Sequence, residues 1–339
     1  MNILFTCAGR RNYLLHYFKD AVKPDGMVIA ADMQSTAPAM AVADKAFVVP
    51  SLYDAGYIDK LLDICGREQV TALVSLNDLD LPILARAREK FENIGTTLLV
   101  SSEDIIDICF DKWRTFAFAR DNAILCPKTC LSLDETIENL NSARLRFPLT
   151  VKPRWGSASI GIEFPENMAE LKLAYELVTL KVSRSILAEV SNRDKNHAVL
   201  IQEKLTGTEY GIDILNDLSG RPAQVYVKEK LAMRAGETDK ALLRRHTDLE
   251  KLGFEIGKAL GHIGNLDVDC FESHGKLYLL EMNPRFGGGY PFSHEAGADY
   301  PAAIVSWLKG AHFDFSQFKR KYDQPYAKCD TLIKVGTDR

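Results

Sequence analysis

Leu266-Asp267-Val268-Asp269-Cys270-Phe271, followed by Tyr278-Leu279-Leu280-Glu281-Met282-Asn283-Pro284-Arg285, is the part of this sequence on which its reading turns. In a β-strand, residues two apart share a face. Asp267 and Asp269 therefore point one way, and Val268 and Cys270 the other. Glu281 and Asn283 share a face in the same sense. Ser273-His274-Gly275-Lys276 joins the two strands, with glycine where a positive φ is convenient. A three-residue loop at His274–Lys276 sets Asp269 opposite Glu281 and Asp267 opposite Asn283. Directly opposed carboxylates repel, so a strand pair that gathers them calls for a cation between them. Oxygen ligands of this kind suit Mg²⁺ held together with phosphate oxygens. Arg285 then stands beside the metal, where its planar fork can meet a transferring phosphoryl group. The two acids alone fit an ordinary solvent-exposed hairpin face better. Asn283, Pro284 and Arg285 tip the reading to a metal site.

Working back from there, Val151-Lys152-Pro153-Arg154-Trp155-Gly156-Ser157-Ala158-Ser159-Ile160-Gly161 closes a short strand with a lysine before a loop of small residues. The ammonium supplies charge, and backbone N–H groups in such a loop can approach phosphates closely. No GK[ST] follows at the Walker A spacing, and a surface turn explains the stretch equally well. Ile201-Gln202-Glu203-Lys204-Leu205-Thr206-Gly207-Thr208-Glu209-Tyr210 reads as strand, turn and strand. Its turn could meet an adenine edge and Glu209 a ribose, although a solvated charged turn is the simpler reading. At Asp111-Lys112 the aspartate can cap a helix and the lysine can be a surface charge. Lys228, Lys230, Arg234, Lys240, Arg244 and Arg245 form a basic run, usually a solvated face. Facing a cleft, they would hold an acidic substrate.

The first hundred residues alternate apolar runs at Ile3–Cys7, Met27–Ala31, Ala46–Val49, Ala72–Leu76 and Thr97–Val100 with helical periodicity at Tyr13–Val22, Ile58–Glu68 and Leu81–Glu92. That order predicts a parallel sheet covered on both faces, with ligands gathering beyond the carboxyl ends of the strands. Arg10, Arg11, Asp32, Asn77 and Asp78 lie there. From Asp111 the pattern changes. Helices are expected at Trp113–Asn122, Asp134–Ala143 (capped by Asp134), Met168–Val178, Leu249–Leu260 and Tyr300–Lys309. Strands are expected at Leu149–Lys152, Ile162–Phe164, Ala198–Glu203, Tyr210–Leu215 and Gln224–Leu231, besides the hairpin. The fold class is α/β, turning α+β in the second half.

The totals agree with a multi-domain globular chain. It has 339 residues, 46% hydrophobic and 26% charged, with a formal net charge of −4. That charge argues against a nucleic-acid coat. Seven dispersed cysteines without CxxC and seven dispersed histidines without HxxxH favour reduced thiols over a disulfide framework or a zinc site. The first apolar run is shorter than the roughly 7–15 residues of a signal peptide's core. No run reaches the about 18 apolar residues of a membrane span. The expectation is a cytoplasmic protein without membrane or nucleic-acid partners, with a symmetric homodimer as the commonest assembly.

Taken in order, Asp111-Lys112, Val151-Lys152-Pro153, Gly156–Gly161, Gln202-Glu203-Lys204, Asp269 and Glu281-Met282-Asn283-Pro284-Arg285 resemble the ATP-grasp superfamily. The likeness is greatest to its carbamoyl-phosphate-synthase large-subunit group, here with a single ATP-grasp unit. The resemblance implies a Rossmann-like N-terminal domain at 1–110 and a two-lobed ATP-grasp domain at 111–310. The lid lobe would span about 118–204 and the metal-binding lobe about 205–310, with a tail at 311–339. It implies that Lys112 and Lys152 contact ATP phosphates under a lid containing Gly156, Ser157, Ser159 and Gly161. Glu203 and Leu205 would present backbone groups to adenine, with Lys204 nearby and Glu209 on the ribose. Asp269, Glu281 and Asn283 would hold two Mg²⁺ ions, with Mn²⁺ as the alternative metal, and Arg285 would act with Lys152 on the transferred phosphoryl. Family members turn a carboxylate into an acyl phosphate that an amine or another nucleophile captures. The small-molecule carboxylate and its partner are expected at Arg10, Asn77, Asp78, Lys230, Arg234 and Gly288. The family's carbamoyl-phosphate synthases carry two such units in tandem, so bicarbonate phosphorylation by a split or partnered unit is the second reading.

Overall fold

The computed structural model describes residues 1–156 and 161–336. Its first unit is a five-stranded parallel sheet of β1 (Asn2–Thr6), β2 (Met27–Asp32), β3 (Lys45–Val48), β4 (Val70–Ser75) and β5 (Thr97–Leu98), in the order β3-β2-β1-β4-β5. The helices are α1 (Asn12–Val22), α2 (Pro38–Val42), α3 (Tyr57–Arg67), α4 (Leu81–Arg86), α5 (Arg88–Glu92) and α6 (Glu103–Phe110). Leu14, Leu15, Phe18 and Val22 give α1 its buried face. The strand order reverses between β1 and β4, the place where such sheets open a crevice. There the fully buried Asp80 accepts hydrogen bonds from Thr6 Oγ1 (2.6 Å), Ser75 Oγ (2.7 Å) and Tyr57 OH (2.9 Å). These bonds pin the 76–80 loop against the end of β1.

A smaller antiparallel sheet follows, ordered β6-β8-β7, from β6 (Thr129–Cys130), β7 (Leu149–Pro153) and β8 (Val199–Glu203). Around it lie α7 (Lys112–Asp121), α8 (Leu133–Asn141), α9 (Met168–Ser183) and α10 (Ala188–Ser191). Asp111 caps α7 through Trp113 N (3.0 Å) and grips Arg154 through both carboxylate oxygens, each at 2.8 Å. The second unit's large sheet runs β13-β12-β9-β10-β11-β14, from β9 (Thr208–Asn216), β10 (Pro222–Arg234), β11 (Glu237–Leu243), β12 (Gly264–Ser273), β13 (Lys276–Asn283) and β14 (Pro325–Ala327). Helix α11 (Thr247–Leu260) packs across it, and α12 (Tyr290–Glu295) and α13 (Tyr300–Leu308) close the chain's return to the first unit. The expected tail is built in: Phe318 packs against Tyr300 and Tyr226, Phe313 and Phe315 pack against Phe318, and β14 pairs with β11.

Three expectations are corrected. The single helix expected at Leu81–Glu92 breaks at Ala87, where Arg88 turns to donate to the carbonyls of Leu98, Val100 and Ser101. The cap of α8 is Ser132, which accepts from Glu135 N at 3.1 Å, so Asp134 lies inside the first turn. Ile162–Phe164 forms one bridge, Glu163 to Val151, and the ladder stops at Pro165, which has no N–H to continue it.

The hairpin has the expected register with a different cause. Asp269 pairs with Glu281 and Asp267 with Asn283, but the turn has two residues, Ser273 pairing with Lys276. His274 and Gly275 both take positive φ (49° and 70°), as a type I′ turn requires. A bulge between Asp269 and Cys270 lets Leu280 stand unpaired and restores the shift that the shorter turn removes. Val268 and Cys270 enter the core with Ile212, Ile214 and Met282.

Candidate active site

Between the small sheet and the large one lies a cavity of about 480 Å³. Lys112, Lys152, Gly156, Glu203, Lys204, Leu205, Glu209, Asp269 and Glu281 all line it. They come from the start of α7 (Lys112), from strands (Lys152, Glu203, Glu209, Asp269, Glu281) and from the loops that follow β7 and β8 (Gly156, Lys204, Leu205). Lys112 opens α7 and bonds the Gly156 carbonyl, 4.0 Å from Glu281. Lys152 ends β7, buried, and donates to Gln202 Oε1 (2.8 Å), whose amide in turn donates to Thr129 Oγ1 (2.8 Å). Burial, then the neighbouring Lys112, brings the Lys152 ammonium down to about 8, while Glu281 and Asp269 oppose the shift. Two ammonium groups facing one cavity repel each other and gain from an anion between them.

Across the cavity, Lys230 bridges Glu209 (2.7 Å) and Asp269 (2.6 Å). Burial, together with the charges of Asp267, Glu281 and Glu209, pushes the Asp269 carboxyl up to about 7 against the pull of Lys230. This crowding of acids fits a divalent cation. Among the described residues no three His, Cys, Asp or Glu side chains converge as a metal cage. Mg²⁺ takes few protein carboxylates and completes its shell with water and phosphate oxygens. Asn283 shares the face of Glu281, one pair further along, buried and outside the cavity lining.

Arg285 lies beyond the cavity, not in its wall. Its guanidinium donates to Asp78 (2.9 Å) and Asp267 (3.2 Å), joining the first unit to the hairpin across 207 positions of sequence. The expected substrate residues divide. Asp78 meets Arg285, and Asn77 turns the chain beside it by accepting from Leu79 N at 2.9 Å. Arg10 and Arg234 meet at Asp330, at 4.0 and 2.7 Å. Gly288 abuts the Glu237 carboxylate: a Cβ there would stand 2.9 Å from it. Lys230 instead belongs with the acids of the cavity. Glu203 keeps its N–H for Lys128 O (2.9 Å), and the Lys204 ammonium rests 4.5 Å from the Phe164 ring centre. Ser157 and Ser159 fall outside the described residues.

Other lining residues gave no local signal in the sequence. Trp155, Ile162, Phe164, Leu187, Met233 and Phe271 form apolar walls from five separate segments. Gln202 stood within a quoted motif, but its bond to Lys152 is visible only once β7 and β8 pair.

Known proteins share this arrangement. Residues 3–99 match the family described as PylC-like, N-terminal domain, and residues 195–328 the family described as ATP-grasp in the biosynthetic pathway with Ter operon. The carbamoyl phosphate synthase large chain of Gemmatimonas aurantiaca is 24% identical over 311 residues, covering 86% of this chain. The chain spans only 26% of that protein's length. A D-alanine–D-alanine ligase of Streptococcus pyogenes is 29% identical over 184 residues, 52% of each chain. Among solved structures, the biotin carboxylase domain of Hydrogenobacter thermophilus 2-oxoglutarate carboxylase, in complex with MgADP, ADP and bicarbonate, superposes with a TM-score of 0.75. It is 16% identical, covering 96% of this chain and 73% of that one. The ADP complex of N5-carboxyaminoimidazole ribonucleotide synthetase gives 0.70 at 16% identity, covering 96% and 80%. With the order of motifs, the parallel N-terminal sheet and the cavity between two antiparallel sheets, these likenesses place the chain in the ATP-grasp superfamily, as a protein similar to the carbamoyl phosphate synthase large chain.

Proposed function

We propose that the chain is an ATP- and Mg²⁺-dependent ligase that activates a carboxylate as an acyl phosphate for capture by an amine or another nucleophile. The observation that carries this is the shared cavity: Lys152 from the small sheet and Lys112 from the start of α7 face two register-paired carboxylates of the large sheet. In this reading Lys112 and Lys152 clamp the phosphates. The Glu203–Leu205 turn takes adenine between the apolar walls, and Glu209 exchanges part of its bond to Lys230 for the ribose hydroxyls. Asp269, Glu281 and Asn283 would hold the metal, as two Mg²⁺ ions with Mn²⁺ able to replace them. The metal would neutralise charge on the β- and γ-phosphate oxygens. Arg285, fixed by Asp78 and Asp267, orients the acyl acceptor from further along the same face of the hairpin. Most of the catalysis is then positioning and preorganised charge in a site closed to water.

The decisive experiment follows ADP release with a panel of carboxylates and amines. Glu281→Gln should lower Mg²⁺-dependent release on the order of 100-fold while circular dichroism stays unchanged; full activity would remove Glu281 from the metal site. The similarity to a carbamoyl phosphate synthase large chain over 86% of the chain supports a second reading, bicarbonate phosphorylation by a partnered unit. ADP release that depends on bicarbonate alone would select it. A two-fold dimer is proposed as the working assembly, to be checked by light scattering.

A further inference from the structure

A second polar site lies one residue pair along the hairpin from the cavity, on the face that Asp267 shares with Asp269, and its charges are arranged differently. Along Arg285–Gly288 each residue meets a charged group. Arg285 bonds Asp78 and Asp267, and the Phe286 carbonyl accepts from Arg11 Nη1 (3.1 Å). The backbone of Gly287 lies directly against the Asp267 carboxylate, and that of Gly288 against Glu237. Lys328 holds Glu237 from outside at 3.2 Å. A side chain on Gly287 would collide with the Asp267 carboxylate and one on Gly288 would push the Glu237 carboxylate aside, so the loop is bare where they gather. Three cations (Arg11, Arg285, Lys328) stand against three acids (Asp78, Asp267, Glu237). Such a site gives no net attraction to a polyanion. It favours a ligand that carries both signs.

Two polar groups there have no partner among the described residues. Arg285 is 8% exposed, and its Nε is buried without an acceptor. The Tyr13 hydroxyl is buried and likewise unpaired. Burial pushes that hydroxyl up to about 12, with Arg11, Glu237, Arg285 and Asp267 as its charged surroundings. Buried donors are rarely left unmade, and two donors beside a bare glycine loop are placed to meet an acceptor such as a carboxylate.

We propose that this site takes an α-amino acid. Its carboxylate faces Arg285 Nε and the Tyr13 hydroxyl, and its ammonium faces Asp267 and Glu237. The assignment rests on the ligase reading and narrows it to a zwitterionic substrate, which bicarbonate is not. Glu237 sits at the rim, outside the nucleotide cavity and half exposed, so Glu237→Gln keeps shape and fold while removing one charge.

The test is calorimetric titration with L- and D-alanine, glutamate and lysine. Each is paired with its counterpart lacking the α-amine (propionate, glutarate, 6-aminohexanoate), with bicarbonate alongside. All are measured with and without a non-hydrolysable ATP analogue and Mg²⁺. At least one amino acid should bind on the order of tenfold more tightly than its counterpart, the usual weight of one charge-assisted bond. Glu237→Gln should erase that ratio and leave the ATP-analogue affinity as it was. Binding of the amine-free acids or bicarbonate as tightly as the amino acids overturns the proposal. So does failure of all six amino acids, or a ratio that survives Glu237→Gln. Loss of ATP-analogue binding strikes the ligase reading instead, since the titrations without nucleotide still decide the subsite.

Discussion

Lys152 shows how much one side chain can carry. Its neighbours in sequence, Val151 and Pro153, mark a strand end, and that much is local and legible. Its environment is not: Gln202, Lys112, Glu281 and Asp269 reach it from four other elements. Burial lowers its pKa from the ordinary 10.5 to about 8. Between those two values the unfolded chain holds a proton that the folded chain has released, so this residue's contribution to stability rises with pH over that window. Phosphate binding needs the charged form, so its dependence runs the opposite way. Nucleotide affinity should fall as pH climbs through about 8, and Lys152→Ala should be severely weakened and flat across the same range. An affinity equal at pH 7 and pH 9.5 in the native protein would take Lys152 out of the phosphate clamp. Arg285 teaches the complementary lesson. Its motif flagged it, but nothing local indicates that its partners would be Asp78 and Asp267 rather than the cavity.

At the scale of elements, alternation in β12 and β13 told which face each acid occupies, and the pairing of Asp269 with Glu281 followed. The turn did not. A two-residue turn and a bulge at Leu280 give the same register as the longer loop, because each moves the pairing by one residue and the pattern of faces cannot separate them. Helix α6 and strand β11 went unread for another reason. Glu103–Phe110 spans barely more than two helical turns, and β11 holds Thr238 and Lys240 among its residues, so its apolar signal is thin. The connection from β8 to β9 is sharply constrained. Gly207 has φ +140°, and a Cβ there would run into the Glu272 backbone carbonyl, which has no rotamer to escape by. Gly207→Ala should cost about 2–3 kcal/mol and lower the thermal midpoint. An unchanged midpoint would mean that this turn can shift away from β12.

Over the whole molecule, the expected division into an N-terminal sheet and a two-lobed remainder captured the layers but not how they join. Phe5 and Phe18 of the first unit share one core with Phe286, Tyr290, Tyr300 and Tyr226 of the last. The small sheet has a core of its own around Val151, Leu171, Val178 and Ile201. Contacts of this range arise from tertiary packing, and no window of periodicity contains them. Residues 311–336, expected only as a tail, contribute Phe313 and Phe318 to that shared core and the pairing of β14 with β11. That pairing has a solubility consequence. Without Pro325–Ala327, the N–H and C=O groups of Lys240, Ala241 and Leu242 would form a bare sheet edge, and an unguarded edge recruits other chains. A chain truncated after Asp323 should therefore self-associate in size-exclusion chromatography at concentrations where the full chain elutes as a single discrete species. If the truncated protein ran as that same species, Pro325–Ala327 would be ornament rather than selvedge.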